Sequence, residues 1–309
     1  MQCDMAFMGG GVRGIAFSGA ISSLENSGYS FRRVAGVSAG AIAAALVASG
    51  FSGQEIKQQL QDLDYSKFKK RDYVKLGPLR DFVNLRRDLG IFSADTFENW
   101  LATLLKTKGV VTFKDIKGRA SGKRLQLTAA DIDNKRLLVL PQDLVLFGLD
   151  PDTFSVATAV RMSMSIPVFY EPYNLIDSNG NSHLIVDGGI FCNYPIWLLD
   201  DGCGKTEVPV FGAKFSESNV NCIKKQTRFN KKFCRLTSYL KQIISAALDA
   251  TGHGYARTVA HDKKRTINID VCINGKNVSS TDFNINKKTA RALYANGVKA
   301  TEKMLQGFK

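Results

Sequence analysis

FRRVAGVSAGAIAAALVAS, residues 31–49, predicts a strand, a sharp turn and a helix in immediate succession. The small and apolar residues after Ser38 suit a helix that is packed closely on all sides. The turn carries Gly36-Val37-Ser38-Ala39-Gly40, and small neighbours are what a serine on a strained strand-to-helix turn requires. The stretch therefore predicts a nucleophilic serine, Ser38, flanked by Gly36 and Gly40. Alone, the motif also fits an ordinary tight turn, because glycine and serine are common turn residues.

Strands and helices alternate along the rest of the 309-residue chain. Residues 3–8 predict a first buried strand, and residues 14–26 have apolar positions at helical spacing. The remaining predictions are strands at 125–131, 136–140, 183–186, 208–215 and 266–273, and helices at 154–163 and 286–305. This alternation predicts an α/β fold with a mainly parallel central sheet covered on both faces. Without repeats or a long linker, one domain over residues 1–309 is the simplest interpretation.

A glycine-rich loop closes the first predicted strand and opens the first predicted helix. Its residues are Gly9, Gly10, Gly11, Val12, Arg13 and Gly14. Glycines at this position let backbone N–H groups approach an anion, and three of them also satisfy the G-x-G-x-x-G pattern of dinucleotide sites. The acidic residue that such sites use to hold the ribose is missing, since arginines stand at 32 and 33. An oxyanion hole for a tetrahedral intermediate fits the loop better.

Asp187 follows the apolar residues 184–186 and precedes Gly188 and Gly189. It is therefore predicted at the carboxyl end of a strand, where α/β folds gather their sites, and is a candidate partner for a serine. The alternative is an Asx-turn aspartate that organises a Gly-Gly bend. No histidine has a setting that favours a catalytic role. Surface positions are predicted for all three histidines of the chain: His183, His253 and His261.

Taken together, the three motifs resemble those of the patatin-like phospholipase family. Residues 9–14 match its G-G-G-x-R/K-G loop, residues 36–40 its G-x-S-x-G motif and residues 187–189 its D-G-G/A motif, in the same order. Met164-Ser165-Ile166-Pro167 and Asn193-Tyr194-Pro195 are also similar to the family pattern, so the resemblance covers roughly the whole chain. Only the three motifs are specific enough to indicate a function.

The resemblance implies a three-layer α/β/α fold and a serine hydrolase that cleaves acyl esters of phospholipids or related lipids, of phospholipase A or lysophospholipase type. Ser38 is the implied nucleophile, and Asp187 is the base that accepts its proton and later activates water. The implied oxyanion hole is the glycine-rich loop, with the N–H groups of Gly10 and Gly11 as donors. Arg13 then either stabilises the loop or contacts a phosphate, and the first role is favoured because the family pattern also accepts lysine there. Neither a metal ion nor a cofactor is expected.

The formal net charge of +14 predicts attraction to phosphate groups. Residues 57–87 carry nine basic and four acidic side chains, and residues 224–241 carry seven basic and none acidic. A solvated basic face is the simplest interpretation of each segment, and attraction to an anionic membrane is the second. Residues 52–105 are the expected site of a basic, helical, lid-like insertion. The expected partners are an acyl lipid substrate and an anionic membrane surface, and nucleic acid is not expected.

No apolar run approaches the roughly 18 residues of a membrane-spanning helix, and residues 1–8 lack the basic region of a secretion signal. We therefore expect a cytoplasmic protein, which basic segments could hold on the inner membrane surface. The six cysteines lack CxxC spacing, which argues against zinc and a disulfide framework and favours free thiols. The sequence does not indicate which oligomeric state the protein adopts.

Two other functions fit part of the pattern. A malonyl-type acyltransferase shares a related serine turn, but it would need a histidine partner. A non-catalytic, basic lipid-binding module would explain the charge, but it would need neither Ser38 nor Asp187. Transfer of an acyl group to a carrier instead of water would identify the first, and salt-sensitive binding without turnover would identify the second.

Overall fold

The structure is a computed structural model, and it describes the chain in segments. None of the helices within these segments is long and apolar enough to cross a membrane. The described residues are 1–63, 88–116, 124–200, 207–216, 239–240, 243–244, 246–248, 251, 264–280, 282 and 285–307.

The first half of the fold repeats one local pattern, a buried strand that leads through a tight turn into a buried helix. Strand β1 (Gln2–Phe7) continues through a 3-10 turn (Gly11–Gly14) into helix α1 (Ile15–Asn26). Strand β2 (Ser30–Gly36) likewise leads into helix α2 (Ala39–Ala48). Both units form where the sequence predicts them, because apolar residues fill most of β1, α1 and α2 and the end of β2 that enters its turn.

The other predicted elements form within a few residues of their predicted bounds, except that the strand expected at 266–273 divides in two. The short strands at 90–92, 168–170, 173–176 and 276–277 are not predicted from the sequence. The helices are α3 (Gly53–Gln61), α4 (Asp95–Lys106), α5 (Val156–Met164) and α6 (Lys287–Gln306). The strands are β3 (Gly90–Phe92), β4 (Leu125–Asp131), β5 (Arg136–Leu140), β6 (Val168–Tyr170), β7 (Tyr173–Ile176), β8 (Ser182–Asp187), β9 (Val210–Ser216), β10 (Thr266–Asp270), β11 (Cys272–Ile273) and β12 (Lys276–Asn277).

The central sheet is mixed but mainly parallel. Its strand order is β10-β9-β1-β2-β4-β8-β7, and β5 pairs with β4. The four pairs from β10 to β4 are parallel, whereas β5, β7 and β8 are antiparallel to their partners. Short connections explain the antiparallel part, because the few residues that separate β4 from β5, or β7 from β8, cannot form a parallel crossover. The predicted parallel core is confirmed.

Helices cover the sheet closely. All seven residues of β4 are buried, which requires cover on both faces, as expected for a three-layer α/β/α fold. Helix α2 packs on β1, β2 and β4, and α5 packs on β4 and β8. Helices α1 and α6 touch at two glycines, since a Cβ on Gly19 would overlap the Tyr294 carbonyl and one on Gly297 the Ala16 carbonyl.

The predicted lid-like insertion around 52–105 lies only partly within the described residues. Helix α3 opens it with a complete capping box, in which Ser52 Oγ accepts from the Glu55 N–H and Glu55 accepts from the Ser52 N–H. Helix α4 closes it, and β3 pairs with β6 outside the central sheet. Residues 64–87, which hold most of the first basic segment, are outside the described residues, as is most of the second basic segment. A single domain with a lid stays a prediction.

The cysteines follow the sequence expectation in part. Cys3 and Cys192 are buried free thiols, and burial raises the pKa of Cys3 to about 12, so this thiol is inert. Cys272 instead takes part in a disulfide. The expectation of free thiols is therefore wrong for Cys272. Spacing alone could not reveal this bond, because a disulfide depends on whether the folded chain brings two cysteines to the required distance.

Candidate active site

Ser38 occupies the tight turn between β2 and α2 and adopts a strained backbone conformation. Its φ is 55° and its ψ is −122°, in a region that residues with a side chain rarely adopt. The flanking glycines explain how the turn is tolerated: a Cβ on Gly36 would overlap the Gly40 carbonyl, and one on Gly40 would overlap the Phe7 carbonyl. The side chain therefore projects from the N-terminus of α2, as predicted for a nucleophile elbow.

A buried serine on α5 holds the Ser38 backbone in place. The Ser38 N–H donates to Ser163 Oγ at 3.0 Å, and Ser163 Oγ donates to the Thr128 carbonyl at 2.7 Å. Because a hydroxyl has one hydrogen, the bond to Thr128 leaves a lone pair facing Ser38. Ser163 is not predicted from the sequence, where its only signal is its place beside the small-residue segment before Pro167.

Asp187 reaches Ser38 through the register of an antiparallel strand. Asp187 is paired with Ala129 of β4, and Leu127 of β4 is paired with Gly36 of β2. Ala129 lies two residues beyond Leu127, just as Ser38 lies two residues beyond Gly36. Asp187 ends its strand, as predicted, although β8 runs antiparallel to its neighbour β4. Strand β8 runs back from beyond the end of β4 and stops level with Ser38.

The Asp187 carboxylate is fully buried and has few polar neighbours. Its Oδ1 accepts from the Gly189 N–H at 2.8 Å, and its own N–H donates to the Ser165 carbonyl at 2.9 Å. Burial raises the pKa of Asp187 to about 7, although the Ser38 hydroxyl and the Gly189 N–H both lower it. Oδ2 has no hydrogen bond of standard geometry with any described residue. Catalytic hydrogen bonds of this kind often tighten only when substrate is bound.

Gly188 is needed for close packing rather than for conformational freedom. A Cβ on Gly188 would lie 2.5 Å from the Thr128 carbonyl, the same carbonyl that accepts the hydrogen bond from Ser163 Oγ. Thr128 thus contacts the supports of both candidate catalytic residues.

The glycine-rich loop presents two free N–H groups beside Ser38. Gly9 is anchored by its N–H, which donates to the Asn193 carbonyl at 3.1 Å, and the Val12 N–H donates to the Ser280 carbonyl at 3.0 Å. Between these anchors, no acceptor among the described residues binds the N–H of Gly10 or Gly11. Gly14 packs on Ala39, 3.1 Å from where a Cβ would stand. The loop is therefore held at both ends with two donors left for a ligand.

Arg13 points into the protein and stabilises the loop. Its side chain is buried, its Nε donates to the Gly10 carbonyl at 3.1 Å, and its guanidinium lies 5.1 Å from the centre of the Phe215 ring. The hydrogen bond to the Gly10 carbonyl supports a loop-stabilising role for Arg13. A direct phosphate contact from this side chain has no support in these contacts.

Ser38 lines a predominantly apolar pocket. One wall consists of Leu60 and Leu63 from the end of α3 and Phe97 and Trp100 from α4. The glycine-rich loop, α2 and the residues after α5 form the rest. Such a lining suits a hydrocarbon chain, since it offers burial of apolar surface and few hydrogen bonds.

The described residues contain no alternative catalytic base or metal centre near Ser38. The partners of His183 are Asp177 at 3.3 Å, Asn134 at 3.5 Å and the ring of Phe147, none of which belongs to the site. The two other histidines lie outside the described residues. Within the described segments, no group of three or more histidine, cysteine or acidic side chains could hold a metal ion.

Comparison with known proteins agrees with the motifs. A sequence profile of the patatin-like phospholipase family matches residues 5–200. The chain is 37% identical over 308 residues to YqhO of Bacillus subtilis (strain 168), with 99% of both chains aligned. It is also 25% identical over 195 residues to the "Probable lipid hydrolase 463L" of Invertebrate iridescent virus 6. That alignment covers 62% of this chain and 61% of the viral protein.

Solved structures share the fold. VipD from Legionella pneumophila superposes with a TM-score of 0.54, and the type III effector protein ExoU of Pseudomonas aeruginosa with 0.53, each at 18% identity. These alignments cover 98% of this chain but only 66% of VipD and 52% of ExoU, so they bear on the fold alone. The family profile spans more than half of the sequence and contains all three motifs, and the chain therefore belongs to the patatin-like phospholipase family.

Proposed function

We propose that this protein is a serine hydrolase that cleaves acyl ester bonds of phospholipids or related lipids through a dyad of Ser38 and Asp187. Membership of the patatin-like phospholipase family supports lipid acyl hydrolysis in general. The observation that carries the finer proposal is the pairing of a strained serine with a buried carboxylate whose pKa is about 7. A base with a pKa near neutral pH is the kind that proton transfer at that pH favours.

The proposed reaction has two steps. In the first, Ser38 Oγ attacks the ester carbonyl carbon, Asp187 accepts the serine proton and passes it to the leaving alcohol, and an acyl-enzyme forms. In the second, water attacks the acyl-enzyme with Asp187 again as base, which releases the fatty acid and restores Ser38. The negative oxygen of each tetrahedral intermediate would accept from the N–H groups of Gly10 and Gly11, each donor being worth about 3 kcal/mol.

The pocket supports a lipid as substrate rather than a small polar ester. Its wall of Leu60, Leu63, Phe97 and Trp100 could bury one acyl chain beside Ser38. Helix α4, which supplies the aromatic part of this wall, is tied to α5 by Arg161, whose Nη2 lies 3.0 Å from Asp95 Oδ1. Phospholipase A and lysophospholipase activities are both compatible with such a pocket.

The proposal is tested by covalent labelling and by product analysis. An organophosphonate ester should label Ser38, because the tetrahedral phosphonate would occupy the proposed oxyanion hole. Incubation with a mixed lipid extract, followed by mass spectrometry, should reveal released fatty acids whose parent lipids identify the substrate. Ser38→Ala is the control in both experiments. Labelling of a different serine, or a need for added calcium, would count against the mechanism.

Activity should decline in acid with the ionisation of Asp187. Only the carboxylate can accept the serine proton, and burial places its pKa at about 7. We therefore expect kcat/KM for a soluble ester to fall about tenfold per pH unit below this value and to reach a plateau above it. A pH profile from 5 to 9 measures this. A flat profile down to pH 5 would show that an ordinary carboxylate, or another group, is the base.

Asp187 should also make the folded protein less stable at higher pH. Its pKa rises from 3.8 in the unfolded chain to about 7 in the folded protein, so the folded state holds the proton more tightly. The associated stability is complete below pH 3.8 and is lost as pH rises through 7. Asp187→Asn should therefore raise the melting temperature at pH 8 by several degrees and change it little near pH 4. An equal shift at both pH values would contradict this ionisation.

The acyltransferase and binding-module alternatives have less support. An acyltransferase of the malonyl type would use a histidine, and the described histidine, His183, binds Asp177 instead. A binding module would have no need for the strained Ser38 backbone, whose conformation costs on the order of 1–3 kcal/mol. Measuring acyl release to water against transfer to a carrier thiol separates the first alternative from hydrolysis.

We further propose that the first basic segment docks the enzyme on anionic membranes, as a cytoplasmic enzyme would require for an insoluble substrate. The described start of this segment includes Leu60 and Leu63, and both of them line the pocket. Each basic side chain near such a surface contributes about 1 kcal/mol, and salt screens this attraction within about 10 Å.

Neutralising the cluster Lys67, Lys69, Lys70 and Arg71 should weaken binding to anionic vesicles and slow hydrolysis of vesicle lipid, while a small soluble ester is hydrolysed normally. Vesicle sedimentation over a salt titration provides the measurement.

The matched control removes the same charge from exposed positions of α6, namely Lys288, Arg291, Lys299 and Lys303. If both quadruple variants bind vesicles equally well, the first basic segment is only a solvated face.

A further inference from the structure

Asn193 lies between the glycine-rich loop and the aspartate loop. It is 4% exposed, and its carbonyl accepts from the Gly9 N–H at 3.1 Å. Its Nδ2 donates to the Leu248 carbonyl at 2.9 Å, which fixes the orientation of the amide. Oδ1 consequently faces Gly9 and Gly189: a Cβ on Gly9 would overlap it, and one on Gly189 would lie 2.9 Å from it.

The same two positions border the proposed catalytic pair. The Cβ position on Gly189 is 3.0 Å from Asp187 Oδ1, and the Cβ position on Gly9 is 3.3 Å from Ser38 Cβ. Asn193 Oδ1 is thus near both Ser38 and Asp187. Among the described residues, none donates a hydrogen bond to this oxygen. A nearly buried acceptor beside a reaction centre is expected to bind a donor from water or substrate.

We propose that Asn193 is a further catalytic residue, whose Oδ1 binds the water that releases the acyl chain from Ser38. This inference rests on the proposed Ser38–Asp187 mechanism. Ser38 has one O–H hydrogen, and Asp187 accepts it. The attacking water has two hydrogens, so it needs a second acceptor once Asp187 has taken the first. Asn193 Oδ1 supplies that acceptor and orients the water oxygen toward the acyl carbon.

The release step balances without any further reactant. The water oxygen bonds to the acyl carbon while Asp187 accepts one water proton. The bond from the acyl carbon to Ser38 Oγ then breaks, and Asp187 returns the proton to Ser38. The second water hydrogen, held by Asn193 during the attack, ends on the carboxylic acid product. Acylation of Ser38 does not involve a water molecule bound by Asn193 Oδ1. Loss of this oxygen should therefore slow hydrolysis of the acyl-enzyme more than acylation.

Methanol provides the decisive comparison, because it has only one O–H hydrogen. A purified variant is incubated with a 4-nitrophenyl fatty acyl ester in dilute methanol, and the ratio of methyl ester to free fatty acid is measured. This ratio reports competition for the same acyl-enzyme, whichever step limits turnover. We expect Asn193→Ala to raise the ratio about tenfold relative to the unchanged protein, because attack by water loses an acceptor that methanol does not use.

Two further variants exclude simpler explanations. Asn193→Leu fills the space left by alanine but has no acceptor, so a raised ratio in both variants cannot come from extra room for methanol. Thr251→Val is the matched control for the loss of the hydrogen bond from Asn193 Nδ2 to the Leu248 carbonyl. Thr251 Oγ1 donates to the Gly189 carbonyl at 2.6 Å, so this change loosens the same loop while leaving Asn193 Oδ1 in place. Its ratio should equal that of the unchanged protein.

The possible outcomes are distinguishable. A raised ratio in Asn193→Ala and Asn193→Leu, with an unchanged ratio in Thr251→Val, supports the proposal. An unchanged ratio in both Asn193 variants, a rise in the alanine variant alone, or an equal rise in Thr251→Val overturns it. Absence of ester cleavage by the unchanged protein, or undiminished cleavage by Ser38→Ala, would instead refute the proposed dyad mechanism.

Discussion

Ser38→Ala and Asp187→Asn are each expected to lower the rate of ester hydrolysis by about 10⁴-fold or more, with the fold retained. Alanine removes the nucleophile, and asparagine has nearly the shape of aspartate but cannot accept the serine proton. Because both side chains act in the same step, the double variant should be no slower than the slower single variant. Turnover of a soluble ester measures the loss, and circular dichroism confirms folding.

The control for this prediction is a carboxylate–imidazole pair that lies outside the proposed site, His183 with Asp177. His183 Nε2 lies 3.3 Å from Asp177 Oδ2, so this pair is the combination that a serine triad would use if it lay at the site. Asp177→Asn and His183→Ala should leave turnover close to that of the unchanged protein. Loss of activity in His183→Ala together with full activity in Asp187→Asn would replace the dyad by a triad.

The sequence predicts the first half of the fold because local rules and global packing agree there. The small residues Gly36, Ala39 and Gly40 leave room for a close turn around Ser38, and the alanine-rich residues that follow suit a helix packed against a sheet. Strands β1 and β2 and helices α1 and α2 therefore form where their apolar residues indicate. Ser38 and the glycine-rich loop are brought together because both follow neighbouring parallel strands, β1 and β2.

Long-range pairing explains what the sequence does not predict. The direction of β8 depends on its pairing with β4, and no residue within β8 indicates that it runs antiparallel. Ser163 and Asn193 gain their roles from contacts with residues far away in the chain, Ser38 and Gly9 respectively. Serine and asparagine are common in ordinary helix ends and turns, so their types carry little information without the fold.

Gly11→Ala is expected to reduce kcat/KM by about 100-fold or more. Gly11 has a φ of 56°, and a Cβ there would overlap the carbonyl of Ser280, which accepts the Val12 N–H at 3.0 Å. Because a backbone carbonyl cannot move aside like a flexible side chain, the loop itself must shift. The N–H groups of Gly10 and Gly11 would then leave the position where they stabilise the oxyanion, and loss of one such donor costs about 10²- to 10³-fold.

Gly28→Ala separates this steric effect from the cost of the backbone conformation. Gly28 has a φ of 83°, but a Cβ there would meet nothing within 4 Å. Both substitutions therefore place a Cβ on a left-handed backbone, which destabilises the fold by about 1–2 kcal/mol, but only Gly11→Ala displaces the loop. Gly28→Ala should lower the melting temperature while keeping kcat/KM and the rate of organophosphonate labelling of Ser38. If Gly11→Ala were labelled as fast as Gly28→Ala, the glycine-rich loop would not be the oxyanion hole, and the N–H groups at the start of α2 would have to supply it.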